Sequence, residues 1–111
     1  NLPLYYETPT YIFVHAGIPP YLRDLKNGTA KDFLWIRNLF LFHPHEIDKI
    51  VVFGHTQTFL LHNHKDDTGV WVDSTGTKIG IDGGAGSNRY LNGVVLKEED
   101  ANPILYQVKV K

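Results

Sequence analysis

The apolar positions of this chain change their period along its length. Tyr11-Ile12-Phe13-Val14 and Ile50-Val51-Val52-Phe53 are short, nearly continuous apolar runs, the pattern of strands buried on both faces. Each stops at an imidazole beside a small residue, His15-Ala16-Gly17 in the first and Gly54-His55-Thr56 in the second. The first strand is expected over Tyr11–Ala16 and the second over Ile50–Phe53. A shorter strand over Leu4–Glu7 is ended by Thr8-Pro9, and Gly17-Ile18-Pro19-Pro20 forces a loop, because proline cannot donate to a ladder. Lys26-Asn27-Gly28 reads as a turn. Between the two apolar runs the period lengthens: Phe33, Ile36 and Phe40 recur at helical spacing with Leu34 and Leu41 beside them. With Thr29 as N-cap, this predicts one helix over Ala30–Leu41, Arg37 lying at the edge of its apolar stripe. A short helical turn is expected over His45–Lys49.

Beyond Phe53 the pattern becomes that of strands and tight turns. Asn63–Gly69 is polar and turn-like, with Asp66-Asp67 inside it. Val70–Val72 and Lys78–Ile81 are strands joined by the hairpin signal Asp73-Ser74-Thr75-Gly76. Asn92–Lys97 and Ile104–Val110 complete the set, the last with Leu105, Gln107 and Lys109 outward and Tyr106, Val108 and Val110 inward. A largely antiparallel C-terminal half follows, as one leaf of a sandwich. No internal repeat or low-complexity tract interrupts it.

Composition narrows the class without choosing a function. A chain of 111 residues with 42% hydrophobic and 21% charged residues is ordinary for a globular domain. A net charge of -1 gives no electrostatic footprint for nucleic acid or an acidic membrane surface. The absence of cysteine excludes disulfides, thiolate metal sites and a cysteine nucleophile. No apolar run spans a bilayer and no signal-like segment opens the sequence, so a cytoplasmic location is expected.

The candidate chemistry sits where strands end. Open α/β sheets bind ligands at that edge; neutral imidazole is the commonest protein metal ligand, and the guanidinium fork suits phosphate. His15 and His55 are therefore candidate metal ligands and Arg37 a candidate phosphate-binding and catalytic residue. Taken singly, a strand-end histidine is more often structural, and Arg37 reads equally as a solvated helix arginine. Asp82, in Ile81-Asp82-Gly83-Gly84-Ala85, resembles a metal carboxylate, but its glycine neighbours favour a residue that fixes its loop by accepting backbone N–H groups. His43-Pro44-His45 and His62-Asn63-His64 have no partner pair at zinc-site spacing. Arg89 and Tyr90 read as surface residues.

In order, Val14-His15-Ala16-Gly17, Leu34-Trp35-Ile36-Arg37, Val52-Phe53-Gly54-His55-Thr56 and Ile81-Asp82-Gly83-Gly84-Ala85 resemble the C-terminal half of calcineurin-like metallophosphoesterases. The likeness is strongest to bacterial serine/threonine protein phosphatases and symmetrical bis(5'-nucleosyl)-tetraphosphatases, and runs from about Leu2 to Leu96. It implies an α/β (α+β) fold: the C-terminal part of a four-layer α/β/β/α sandwich, mostly strands with one main helix. It also implies His15 and His55 on one metal of a two-metal centre (manganese first, with iron, zinc or nickel as alternatives), and Arg37 on the phosphoryl group. The substrate would be a phosphorylated protein or a dinucleoside polyphosphate.

The family's D-x-H, G-D-x-x-D-R-G and G-N-H-E motifs, which carry the other metal ligands and a general acid, do not occur in this sequence. Residues 1–111, which lack any methionine, are therefore expected to be the C-terminal portion of a metallophosphoesterase domain, inactive as an isolated piece. The alternative is a non-catalytic binding or assembly module that keeps two histidines and an arginine. An apolar face including Phe13, Val52, Ile81 and Val95 would then lack its cover, to be supplied by the missing N-terminal half or by self-association.

Overall fold

The computed structural model describes residues 3–98 and 100–110; the opening Asn1-Leu2 lies outside them. Its centre is a five-stranded mixed sheet. The strands are β1 (Tyr5–Glu7), β2 (Tyr11–Val14), β3 (Ile50–Phe53), β4 (Trp71–Val72) and β5 (Lys78–Gly80), in the order β1-β2-β3-β5-β4. The two apolar runs recognised in the sequence, β2 and β3, are adjacent and parallel, from Tyr11 opposite Ile50 to Val14 opposite Phe53. Strand β5 continues the parallel set beside β3, and the edge strands β1 and β4 run antiparallel.

Side chains alternate across this sheet. On one face Ile12, Val14, Val51 and Phe53 pack with Phe33 and Phe40 and with Ile18, Leu22 and Leu25 from the segment after β2. On the other, Tyr11, Val52 and Ile79 form a smaller cluster lined by Phe13, Ile50, Val70, Ile81 and Leu96. Full burial of a phenylalanine is worth about 1.5–3 kcal/mol, so Phe33, Phe40 and Phe53, all fully buried, anchor the helical layer. Phe40 meets Phe53 edge-on, with ring centroids 5.0 Å apart.

The predicted helix is divided. Helix α1 (Ala30–Trp35) begins with a capping box, the Thr29 hydroxyl accepting from the Asp32 N–H and the Asp32 carboxylate accepting from the Thr29 N–H. Helix α2 (Asn38–Leu41) follows a break in which Ile36 is extended (φ -58°, ψ 143°) and Arg37 has φ -134°, ψ -98°. Neither glycine nor proline causes it. In a continuous helix the Phe33 carbonyl would accept from the Arg37 N–H; here it accepts from the Ala16 N–H at 2.8 Å. The loop after β2 takes the acceptor that propagation needs. The Arg37 carbonyl then accepts from Phe40 and Leu41 N–H groups and starts α2. The apolar stripe survives because Phe33 and Phe40 both stay in the core.

Other elements depart from expectation. In place of a helical turn over His45–Lys49, residues 46–49 are a series of bends, held by the Lys49 carbonyl against His45 Nε2 and by a Lys49-to-Ile47 backbone bond. A short helix, α3 (Thr58–Leu61), stands where no element was expected. The C-terminal half is not a single antiparallel leaf. Strand β5 belongs to the parallel set, while β6 (Tyr90–Lys97) and β7 (Asp100–Lys109) form a separate antiparallel hairpin.

That hairpin reverses the faces read from β7. Gln107 turns toward the body, its amide donating to the Thr68 hydroxyl at 3.1 Å. Leu91 lies opposite Val108 and Val95 opposite Ile104, and these four with Tyr106 make one apolar face open to solvent, Val108 being 64% exposed. The apolar face expected to be bare is, in turn, partly covered. Val52 is buried and Phe13 and Ile81 half-buried, packed with Leu96 of the hairpin; Val95 alone of the four is exposed. The fold is a small mixed α/β body of mostly strands with short helices. None of the helices in the described residues is long and apolar enough to cross a membrane.

Candidate functional site

Parallel pairing decides where the candidate residues meet. Because β2, β3 and β5 run the same way, their C-terminal ends lie along one edge of the sheet, where open α/β sheets present ligand-binding loops. His15 follows β2, His55 follows β3 by two residues, and Asp82 follows β5 by two. Backbone hydrogen bonds tie these loops together. The Gly54 N–H donates to the His15 carbonyl at 2.8 Å, Ile81 N–H to the Phe53 carbonyl at 3.0 Å, and Thr58 N–H to the Asp82 carbonyl at 2.7 Å.

The rings of His15 and His55 lie with centroids 5.0 Å apart. The α1–α2 break carries Arg37 to the same point: its Nε–H donates to His55 Nε2 at 3.1 Å. Trp35 closes one side, its ring edge-on to His55 at 5.6 Å and 88°. Trp35 was not singled out from sequence as a site residue, although its place two residues before Arg37 is the available signal. His15 and Arg37 are exposed and His55 half-buried, so the site is a shallow, solvent-open cluster.

His55 has φ +67°, the left-handed region that a residue with a Cβ enters at a cost of about 1–3 kcal/mol. That geometry turns its ring to Arg37 and His15. Burial first, then the Arg37 and His15 charges, lower the His55 pKa, and the Asp82 carboxylate opposes them. A nitrogen that accepts from Arg37 is unprotonated, so the neutral ring carries its proton on Nδ1. Neutral imidazole is the form a metal requires.

His15 and His55 stand side by side and offer two imidazoles of the kind a metal ion could use. Among the described residues no group of three or more histidine, aspartate or glutamate side chains is placed to hold a metal. The two imidazoles alone fall short of the ligand number of a usual protein metal site, and an ion at His55 Nε2 would require Arg37 to release that atom. Asp82 behaves as its loop chemistry suggests. Its Oδ1 accepts from the Gly84 N–H at 2.9 Å, and Gly84, at φ +82°, would press a Cβ to 2.7 Å from Gln57 Oε1.

The remaining histidines stay apart from this cluster and bond locally. His43 Nδ1 pairs with the Leu39 carbonyl, His45 Nε2 with that of Lys49 and His62 Nε2 with that of Gly69, while His64 Nδ1 accepts from the Asp66 N–H. His62 also sits 3.4 Å from the Asp67 carboxylate. Arg89 donates to the Lys65 carbonyl and lies over the Phe59 ring, and Tyr90 is half-buried.

No protein-family model, curated protein or solved structure matches this chain.

Proposed function

We propose that this chain is the C-terminal part of a metal-dependent phosphoesterase, acting as a cytoplasmic serine/threonine phosphatase-like enzyme in the complete protein. One observation carries the reading. His15, Arg37 and His55, far apart in sequence, meet at the C-terminal edge of a parallel strand set, with 3.1 Å between Arg37 and His55. A structural role for each residue alone gives no reason for that meeting. In this reading the sheet is one leaf of the α/β/β/α sandwich, and the other ligands come from outside residues 1–111.

His15 and His55 would each offer a ring nitrogen to one of two divalent ions, manganese first. Bound there, such ions supply Lewis acidity at the phosphoryl oxygens and an activated water. Arg37, released from His55, would place its fork on two phosphoryl oxygens and stabilise charge as it develops. Trp35, edge-on to His55, lies beside the same space. The substrate is a phosphorylated protein side chain or, as a second reading within the class, a dinucleoside polyphosphate.

A binding or assembly module is the reading outside enzymology. The specific observation in its favour is the solvent-open apolar face of Leu91, Val95, Ile104, Tyr106 and Val108, which a partner or a second copy would cover.

The test is hydrolysis by the complete protein of p-nitrophenyl phosphate, a phosphoserine peptide and diadenosine tetraphosphate, with and without manganese. Metal-dependent turnover lost in His15→Ala, His55→Ala and Arg37→Ala supports the proposal. Turnover that survives all three substitutions, or none on any substrate, removes it.

A further inference from the structure

On the helical face of the sheet, away from the histidine pair, lies a cavity of about 370 Å³ between α2, α3 and the β4–β5 hairpin. Its larger share is apolar, from Leu41, Phe42, Leu60, Leu61 and Trp71. Phe42 and Leu60 are largely exposed and stand at its rim.

His43, Asp73, Ser74 and Thr75 also line it, and the one lysine among its walls is Lys78. It comes from a strand position that points into the core, and only 2% of its surface is exposed. The ammonium donates to the His43 carbonyl at 3.0 Å and lies 5.2 Å from the Phe40 ring centroid. Among the described residues no carboxylate lies within ion-pair distance of it. Asp73, which also lines the cavity, is engaged elsewhere. Its Oδ1 accepts from the Thr77 and Lys78 N–H groups and its Oδ2 from the Thr75 hydroxyl. Burial lowers the Lys78 pKa and the Asp73 charge only opposes that.

A buried ammonium has three donors and needs acceptors; this one has a single carbonyl. An apolar pocket with a few convergent polar groups is the usual form of a small-molecule site, and this volume is near the lower end of that range. We infer that the cavity binds a small organic carboxylate, its anionic group meeting Lys78 and its aromatic or branched aliphatic body filling the space between Leu41, Leu61 and Trp71. The site is independent of the phosphoesterase reading, since it shares no residue with His15, Arg37 and His55.

The experiment uses 2-naphthoate and its uncharged isostere 2-naphthamide as probes of the purified protein, followed by Trp71 fluorescence and amide shifts. Naphthoate should bind with shifts at Trp71, Leu61 and Lys78. Naphthamide should bind about tenfold or more weakly, the range expected of a hydrogen bond to a charged group. Lys78→Met should erase that preference. Because Lys78 is buried, Leu60→Glu at the exposed rim supplies a second variant; it should keep the fold and weaken naphthoate more than naphthamide. Equal binding of the two probes, or shifts confined to the outer face of β6 and β7, overturns the inference.

Discussion

At the scale of the residue, the account rests on the bond from Arg37 to His55. The same lone pair that accepts from the guanidinium would serve a metal, so the two states exclude each other. Under the proposed function Arg37 would have two roles, as a cation resting on His55 and as a phosphate clamp once displaced. Replacing it separates them. If the proposed phosphoesterase function holds, Arg37→Ala should leave metal occupancy intact while lowering kcat/KM by the equivalent of about 2.7–4 kcal/mol, the range for loss of one transition-state donor; metal analysis beside steady-state kinetics checks this. Loss of the metals in that variant contradicts the assigned roles. In the metal-free protein the same substitution should raise the His55 pKa, because the Arg37 charge is the second cause, after burial, that lowers it. Proton NMR of the ring during a pH titration reads that shift directly.

At the scale of the element, Gly17 shows why the loop after β2 has its composition. A Cβ there would stand 2.4 Å from Phe40 Cδ2, and Phe40 is fully buried. Gly17→Ala should cost about 1–3 kcal/mol, the usual penalty for overpacking, measured by denaturant unfolding; an unchanged midpoint would show that α2 is free to shift. The strands were legible because β2 and β3 are continuous apolar runs, and the Thr29 cap because a threonine directly before an apolar helical period is a favoured N-cap. The break at Ile36 and Arg37 was not, since its cause is the Ala16 N–H taking the Phe33 carbonyl, a contact between residues distant in sequence. The parallel setting of β5 was hidden for the same reason. Its local hairpin with β4 is visible in Asp73–Gly76, whereas its pairing with β3 is not. The two faces of β7 were misassigned because apolar residues occupy both, and only Gln107 against Thr68 decides which faces the body. The site histidines and Arg37 were legible as strand-end and helix residues, but their meeting depends on the parallel register and the helix break together.

At the scale of the whole molecule, two half-buried imidazoles set a pH dependence. Burial lowers the pKa of His45, only partly offset by its bond to the Lys49 carbonyl, and His55 is lowered as described. The unfolded chain then binds protons more readily than the folded one, so stability rises with pH. It should be fully present above the ordinary imidazole range and fall as pH drops through that range toward the lower folded values. Thermal melts from about pH 8 to about pH 5 read this slope, and His45→Asn should flatten it. A stability maximum in mildly acidic solution contradicts the burial of these rings. The proposed function, with its other ligands placed outside residues 1–111, leads to a further expectation: residues 1–111 alone should show no manganese-stimulated hydrolysis of p-nitrophenyl phosphate above buffer. Robust, chelator-sensitive turnover by that piece would mean that its own residues complete the centre. The central claim, that His15 and His55 with Arg37 form the metal-phosphate site, is tested most directly by imidazole nitrogen NMR during a zinc titration of the purified protein. Of the six histidines, the ring nitrogens of His15 and His55 should move first and together, with the Arg37 Nε–H released from His55. A first response at His43, His45, His62 or His64, or none at His15 and His55 up to millimolar zinc, would contradict it.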